Sequence, residues 1–218
     1  MANATFASQK SDFEQFRDRL PWIWKAPRQV EPPKVKDSAW PADAIDSFVL
    51  RKLEAENMNP AGPANDRVWM RRVYFAITGL PPKPEDIQTF LNDTSKNRKR
   101  TLVRALLDSP HYGERWARHW MDLVRYAESR GHEADDILPN AYRYRDYLIR
   151  AFNADLPYDA LVAEHLAGDL LENPRLHPKT GANESILATG WPFFGEMLHA
   201  PVDLRQDECD RLDNKVDV

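Results

Sequence analysis

The sequence predicts an all-α protein: an irregular helical domain of six to eight helices with an extended, Pro/Trp-rich N-terminal arm. Three observations predict it. From Asp43 onward, apolar residues recur at i, i+3 and i+4 in one segment after another, the spacing of a helix with one buried face. No stretch alternates with period two for long enough to form a strand. Five of the 17 prolines cluster between residues 21 and 41, and the others fall between the periodic segments or at their ends. The 218 residues suit one domain with an extension, and 42% hydrophobic with 29% charged residues is a globular composition that can bury a core. Lys plus Arg is 30 and Asp plus Glu is 34, a net charge of −4 that argues against nucleic-acid partners. The lone Cys209 leaves no internal disulfide, Cys-rich zinc site or Cys-paired haem within these residues. No apolar run approaches the roughly 18 residues of a membrane span, and the first residues lack the apolar core of a signal peptide.

Residues 1–20 read as a polar lead, a short helix or disordered. Residues 21–42 hold Pro21, Pro27, Pro32, Pro33 and Pro41, which exclude helix. Trp22, Trp24 and Trp40 in the same stretch point to an arm pinned to the core by aromatics, or to a Pro-rich ligand for another domain. The helical domain is placed at 43–202. Its first helix starts behind the N-cap Asp43, with Ile45, Phe48, Val49 and Leu53 inward. The second spans 66–78, with Val68, Trp69, Val73 and Ile77 inward, and stops at Gly79 and the Pro81-Pro82 pair. The third begins at Pro84, a good first residue, followed by Glu85 and Asp86 on the favourable side of the dipole. Its inward residues are Ile87, Phe90 and Leu91. The fourth covers 95–107 and buries Leu102, Val103, Leu106 and Leu107. The fifth, 111–128, carries the stripe Tyr112, Trp116, His119, Trp120, Leu123, Val124 and Ala127. A loop over 129–139 leads to a sixth helix at 140–153, with Ala141, Tyr144, Leu148 and Phe152 inward. The seventh follows Pro157 and buries Leu161, Val162, His165 and Leu166. One helical turn is expected at 185–189. Residues 203–218 read as the start of a helix without a cap, leading into a C-terminal continuation. Trp191, Phe193, Phe194 and this tail are expected to be poorly buried, an apolar patch that marks a partner surface.

Three constellations carry candidate chemistry. Arg118, Asp122 and Arg125 stand at i, i+4 and i+7 on one helix face, with Glu114 four residues before Arg118. They form either an ion-pair ladder or the wall of a polar pocket in which arginines orient Asp122, with residues 118–146 as one connected cluster. The loop after this helix holds His132, Glu133, Asp135 and Asp136, oxygen-rich enough for a hard cation but spaced like neither an EF-hand nor a zinc site. A solvated acidic loop, or one paired with the sixth helix's arginines, is the competing reading. Tyr142, Arg143, Tyr144, Arg145 and Tyr147 suit a carboxylate, phosphate or sugar, since guanidinium forks recognise oxyanions and aromatic faces stack on rings; alternatively Arg143 and Arg145 pair with Glu133, Asp135 and Asp136. His119 and His165 read as satisfied core histidines, His111 as a cap or surface residue, and Cys209 as a free thiol. No Gly-rich phosphate loop is present.

Five runs in this order carry a resemblance: IDSFVLRKLEAENMNPA (45–61), RRVYFAITGLPPKPEDIQTFL (71–91), LLDSPHYGERWARHWMDLVRYAES (106–129), NAYRYRDYLIRAFNADLPYDALVAEHLAGDLL (140–171) and ILATG (186–190). From about Trp22 onward the chain resembles the planctomycete cytochrome-c-associated domain family, a domain of unknown function in large exported proteins. The resemblance implies a periplasmic or extracellular location and, as partners, a cytochrome-c-like module and a C-terminal continuation. It also implies haem c in a longer parent protein, on a C-x-x-C-H segment that follows a stretch like DECDRLDNKVDV (207–218). No cofactor is expected within these residues. The leading functional expectation is a helical accessory or scaffold part of a redox-linked assembly. The alternative is a catalytic or binding domain acting on a glycan, with Asp122, Arg125, Glu133, Asp135, Tyr144 and Arg145 around a cleft. A sugar-binding module without catalysis, built on Trp and Tyr platforms, is a third reading.

Overall fold

The computed structural model describes residues 25–131, 135–194 and 202–216, together with Arg19 and Pro21. Among these residues the secondary structure is helical, with two isolated antiparallel bridges, Ser129–Ile137 and Leu176–Asn183. The chain divides into two compact units, residues 1–63 and 64–218. The first unit contains the described part of the arm and helix α1 (Ala44–Ala55). Asp43 caps α1 by accepting the Asp46 N–H at 3.0 Å. Glu54 near its end accepts the Lys36 and Asp37 N–H groups at 2.7 and 3.2 Å, so a carboxylate holds the arm's backbone to its own helix. Trp22 and Trp24 lie outside the described residues, and Trp40 is half-buried. Leu50 is the buried residue of α1, whereas Ile45, Phe48 and Val49, expected inside, are exposed.

The second unit comprises α2 (Asp66–Ile77), α3 (Pro84–Asn92), α4 (Arg98–Leu107), α5 (Pro110–Leu123), α6 (Ala141–Asn153), α7 (Tyr158–Ala167), the single turn α8 (Ser185–Ala188), a 3-10 turn at Trp191–Phe193 and α9 (Leu204–Val216). Local chemistry sets the starts. Asn65 accepts the Val68 N–H at 2.9 Å, Asp86 accepts the Lys83 N–H ahead of Pro84, and α5 opens on Ser109-Pro110. Helix α4 starts three residues later than its spacing predicts, because Asp93 folds Ser95 into a local turn by accepting its N–H at 2.7 Å. Around α2, Trp69 stacks on Phe90 at 5.6 Å, with Lys99 and Arg98 over the two rings and both cations paired to Asp66.

The end of α5 was harder to foresee, because a left-handed residue other than glycine makes it. Arg125 (φ 53°) reverses the chain after α5, and Tyr126 N–H returns to Met121 O at 3.0 Å, the bond of a Schellman cap. The predicted helix to Glu128 therefore ends at Leu123. Asn57 (φ 55°) and Asp155 (φ 50°) do the same for α1 and α6, with Met58 N–H to Leu53 O and Leu156 N–H to Ala151 O. A side chain in the left-handed region is strained, and Asp155 is exposed. Asp155→Gly is therefore expected to stabilise the fold by about 0.5–1 kcal/mol, net of glycine's entropy in the unfolded chain. Urea denaturation checks the sign.

The core of this unit is Ala117, Val124, Ala141, Tyr144, Tyr147, Leu148, Ala151, Leu161, Ala188 and Phe194, with Trp120, Met121 and Trp191 packed at its edge. The α5 stripe is rotated from its predicted phase. Gly113, Ala117 and Val124 face inward, whereas Trp116, His119 and Leu123 face out, Leu123 at 69% exposure. The cause is a close approach of α5 to α6. A Cβ on Gly113 would stand 2.4 Å from the Ile149 carbonyl oxygen, and the Gly113 N–H donates to Asn153 Oδ1 at 2.8 Å. Small residues mark this contact, and a reading of large apolar side chains passes over them. Leu166 on α7 is likewise exposed, its place inside taken by Glu164 and His165.

Of the C-terminal aromatics, Phe194 is buried against Tyr126 and Tyr144 (ring centroids 5.0 Å from each). Trp191 is half-buried and donates its Nε1–H to His165 O at 3.1 Å. Phe193 is exposed, so the expectation of poor burial holds for one of the three. In α9 Leu204 and Leu212 are exposed as expected, and Asp207 is buried and paired with Arg211 at 2.8 Å.

Candidate functional site

Glu164 comes from the inner face of α7, one residue before His165. Arg175 and Glu184 stand at the two stems of a loop over 175–184, which Glu184 N–H to Arg175 O and His177 N–H to Ala182 O close at 2.8 Å each, with Gly181 in the left-handed region (φ 69°). Both carboxylates are enclosed, with side-chain exposures of 5% and 0%. Glu164 Oε2 accepts from Tyr147 Oη–H at 2.5 Å and Arg175 Nη2 at 3.1 Å. Its Oε1 accepts from Ser185 Oγ–H at 2.9 Å and Arg175 Nε at 3.2 Å. Glu184 takes Arg175 Nη1 on one oxygen and Arg150 Nε on the other. Arg175 also lies over the Tyr147 ring at 5.0 Å. Two buried anions thus meet two cations, and Glu164 also meets two hydroxyls, the arrangement that buried charges require. Burial alone would push the Glu164 carboxyl up. The hydrogen bonds from Arg175, Tyr147 and Ser185 outweigh it and hold Glu164 below the ordinary glutamate range.

Beside this network lies a neutral centre. His165 Nδ1 is 2.7 Å from Leu161 O, which assigns the proton to Nδ1 and leaves Nε2 as an acceptor. Tyr144 Oη–H meets Nε2 at 2.8 Å, and Trp120 Nε1–H is shared between Nε2 at 2.9 Å and Tyr144 Oη at 3.2 Å. Burial lowers the His165 pKa, partly countered by the Leu161 carbonyl and the Glu164 charge. Burial likewise raises those of Tyr144 and Tyr147. Tyr126 is pushed up to about 12 by burial and by the Glu128 carboxylate that its hydroxyl meets at 2.9 Å.

A cleft of about 400 Å³ opens between the start of α6 and the α8 and 3-10 segment. Leu138, Pro139, Ile186, Leu187, Phe193 and Phe194 form its apolar walls, and Asn140, Arg143, Tyr144 and Thr189 are its polar lining.

The sequence candidates scatter over these features. Asp122 lies on the outer face of α5, 65% exposed, with Arg118 Nε 4.0 Å away and outside hydrogen-bond reach. Arg125 serves the helix cap through its backbone. The face carrying Arg118 and Asp122 points to solvent, with no burial to force their pairing. Arg145 meets Glu128 at 2.5 Å and Asp146 at 3.3 Å. Tyr144 turns inward to His165, while Tyr142 is exposed and Arg143 lines the cleft. His132 and Glu133 lie outside the described residues. Asp135 (φ 45°) accepts the Gly131 N–H at 2.9 Å, and the Asp136 carbonyl accepts the Arg130 N–H. Among the described residues no three His, Cys, Asp or Glu side chains gather as a metal site, and no helix is long and apolar enough to cross a membrane. His165 is the satisfied core histidine expected, whereas His119 is exposed beside Trp116 and His111 pairs with Glu114 at 2.7 Å. Cys209 is a free, exposed thiol. Sequence reasoning missed Arg150, Glu164, Arg175 and Glu184. The available signal was a carboxylate inside an apolar stripe, Glu164 between Leu161 and Gly168.

No curated protein matches the chain, and no solved structure matches it. A family model does, and its match runs over residues 44–218, from the first helix through the network, the neutral centre and the cleft. The chain therefore belongs to the PSCyt2 family, described as a protein of unknown function (DUF1549).

Proposed function

We propose that this chain is an accessory helical domain of an exported, redox-linked assembly, and that it works by docking a cytochrome-c-like module on the outer face of α5. One observation carries the reading. The enclosed carboxylates of the second unit, Glu164 and Glu184, are answered by Arg150 and Arg175, while large apolar side chains face outward. On α5, Trp116 packs with Tyr112 and His119 (ring centroids 6.2 and 5.3 Å), and Leu123 continues the same outer row. A contiguous aromatic and aliphatic face that the fold does not cover is the surface a partner buries. The resemblance in the five sequence runs supplies the partner class. The test is calorimetric titration of the full chain with a purified cytochrome-c-like module from a family member. Micromolar binding is expected, weakened at least about tenfold by Trp116→Glu with Leu123→Glu in a variant that keeps its helical circular dichroism. Absence of binding, or binding indifferent to the double substitution, refutes the docking face.

A further inference from the structure

We propose that the cleft at the start of α6 is a binding site for a small amphipathic carboxylate, with its apolar body against Ile186, Leu187 and Phe194 and its carboxylate on Arg143. This goes beyond the docking role and uses a different surface.

The wall chemistry sets the body of the ligand. The volume lies within the range of small-molecule sites, roughly 300–1,000 Å³, and the walls are mostly aliphatic and aromatic. Two of the four polar side chains that might serve a sugar are engaged elsewhere. Tyr144 Oη–H points into the core at His165, and Thr189 Oγ–H donates to Ile186 O at 2.8 Å. A polyhydroxylated ring would leave many of its hydroxyls without partners here, which is costly on desolvation. An alkyl or aryl body asks for none.

Charge sets the head. Arg143 is the one charged side chain among the described lining residues, and it is exposed. The nearby carboxylates are already engaged: Glu128 and Asp146 both pair with Arg145. Nothing acidic stands in the first turn of α6, and the Asn140 side chain makes no capping bond. The dipole of α6 and its amide groups therefore add to the positive potential of the guanidinium at this end of the cleft. A guanidinium fork fits a carboxylate in bidentate fashion. A neutral amphiphile would leave Arg143 unanswered at the edge of an apolar surface. The walls come from the residues just before α6, from α8 and from the 3-10 segment, and Leu138, Leu187 and Phe194 among them pack in or against the core, so the cleft is largely preformed.

Decanoate is the probe, added to the full chain below its micelle concentration and followed by calorimetry and by amide chemical shifts at Ala141, Ile186 and Gly190. Decanol tests the body without the charge, and acetate the head alone. The expected result is saturable one-to-one decanoate binding, with acetate and decanol each at least about tenfold weaker. Arg143→Gln should bring decanoate down to the decanol level and leave decanol unchanged. Ile186→Asp should weaken both, and Arg118→Gln, on α5, should change neither. Lack of saturation, equal affinity for decanol and decanoate, or decanoate binding that survives Arg143→Gln would each overturn the assignment.

Discussion

Replacing Arg175 with methionine should cost about 3–5 kcal/mol of folding stability, the loss typical of breaking a buried ion pair by removing one partner. Methionine fills similar space but leaves Glu164 with only the Tyr147 and Ser185 hydroxyls, and leaves Glu184 with Arg150 alone. Arg175→Lys should recover little, because one ammonium does not reach two carboxylates from the positions of Nε, Nη1 and Nη2. Arg145→Met is the control. Its partners Glu128 and Asp146 are exposed by half and by two-fifths, so the change should stay within about 1 kcal/mol. Urea midpoints at neutral pH make the comparison. The same network fixes the acid limb. The folded pKa of Glu164 is depressed, so its contribution is complete above the unfolded glutamate pKa of about 4.3 and fades as pH falls through the lower folded value. In Arg175→Met that part of the acid dependence should shrink. Equal losses for Arg175→Met and Arg145→Met would show that the enclosed pairs do not hold the fold.

Gly168→Ala carries the second large effect, and its sign opposes what propensity predicts. Gly168 has ordinary helical angles (φ −61°, ψ −23°), so an alanine there should by conformational entropy stabilise the protein. Sterics reverse this. The added Cβ would stand 2.0 Å from the Ser185 carbonyl oxygen and 2.5 Å from that of Glu164. Both are backbone atoms, so no side-chain rotation relieves the clash. Separating α7 from α8 would also pull Ser185 away from the Glu164 carboxylate and from the Arg175 N–H that its Oγ accepts at 2.8 Å. The expected loss is about 3 kcal/mol, at the upper end for overpacking, read as a fall in thermal midpoint. A neutral or stabilising Gly168→Ala would mean that α7 and α8 do not approach as closely as described.

The helices were legible because their signals are local. Asp43, Asn65, Pro84 and Ser109-Pro110 announce starts, and the i, i+3, i+4 spacing announces their extent. Their buried faces were less so. At α5 the closest helix contact is made by Gly113 and Ala117, which carry almost no hydrophobic signal, so Trp116 and Leu123 took their place in the reading. The end at Arg125 escaped because the expected glycine is absent there, whereas the sixth helix ends at Asn153 as its spacing predicts. The polar centre was the least accessible. Glu164, Arg175 and Glu184 are far apart in the chain and meet only once the 175–184 loop closes, whereas Arg118, Asp122 and Arg125 look like a site because their spacing is local. Spacing on one helix says that charges share a face, not whether anything covers that face.

Closing the 175–184 loop bears on how long the folded molecule persists. Its bonds join Arg150 to Glu184, 34 residues apart, and Glu164 to Ser185, 21 apart. Contacts between such distant residues carry a loop-closure cost in chain entropy and form after the local i to i+4 bonds of the single helices. Interactions absent from the transition state act on the unfolding rate and barely on the refolding rate. Removing the enclosed carboxylate pairs is thus expected to shorten the native-state lifetime, read as faster unfolding in urea with refolding little changed.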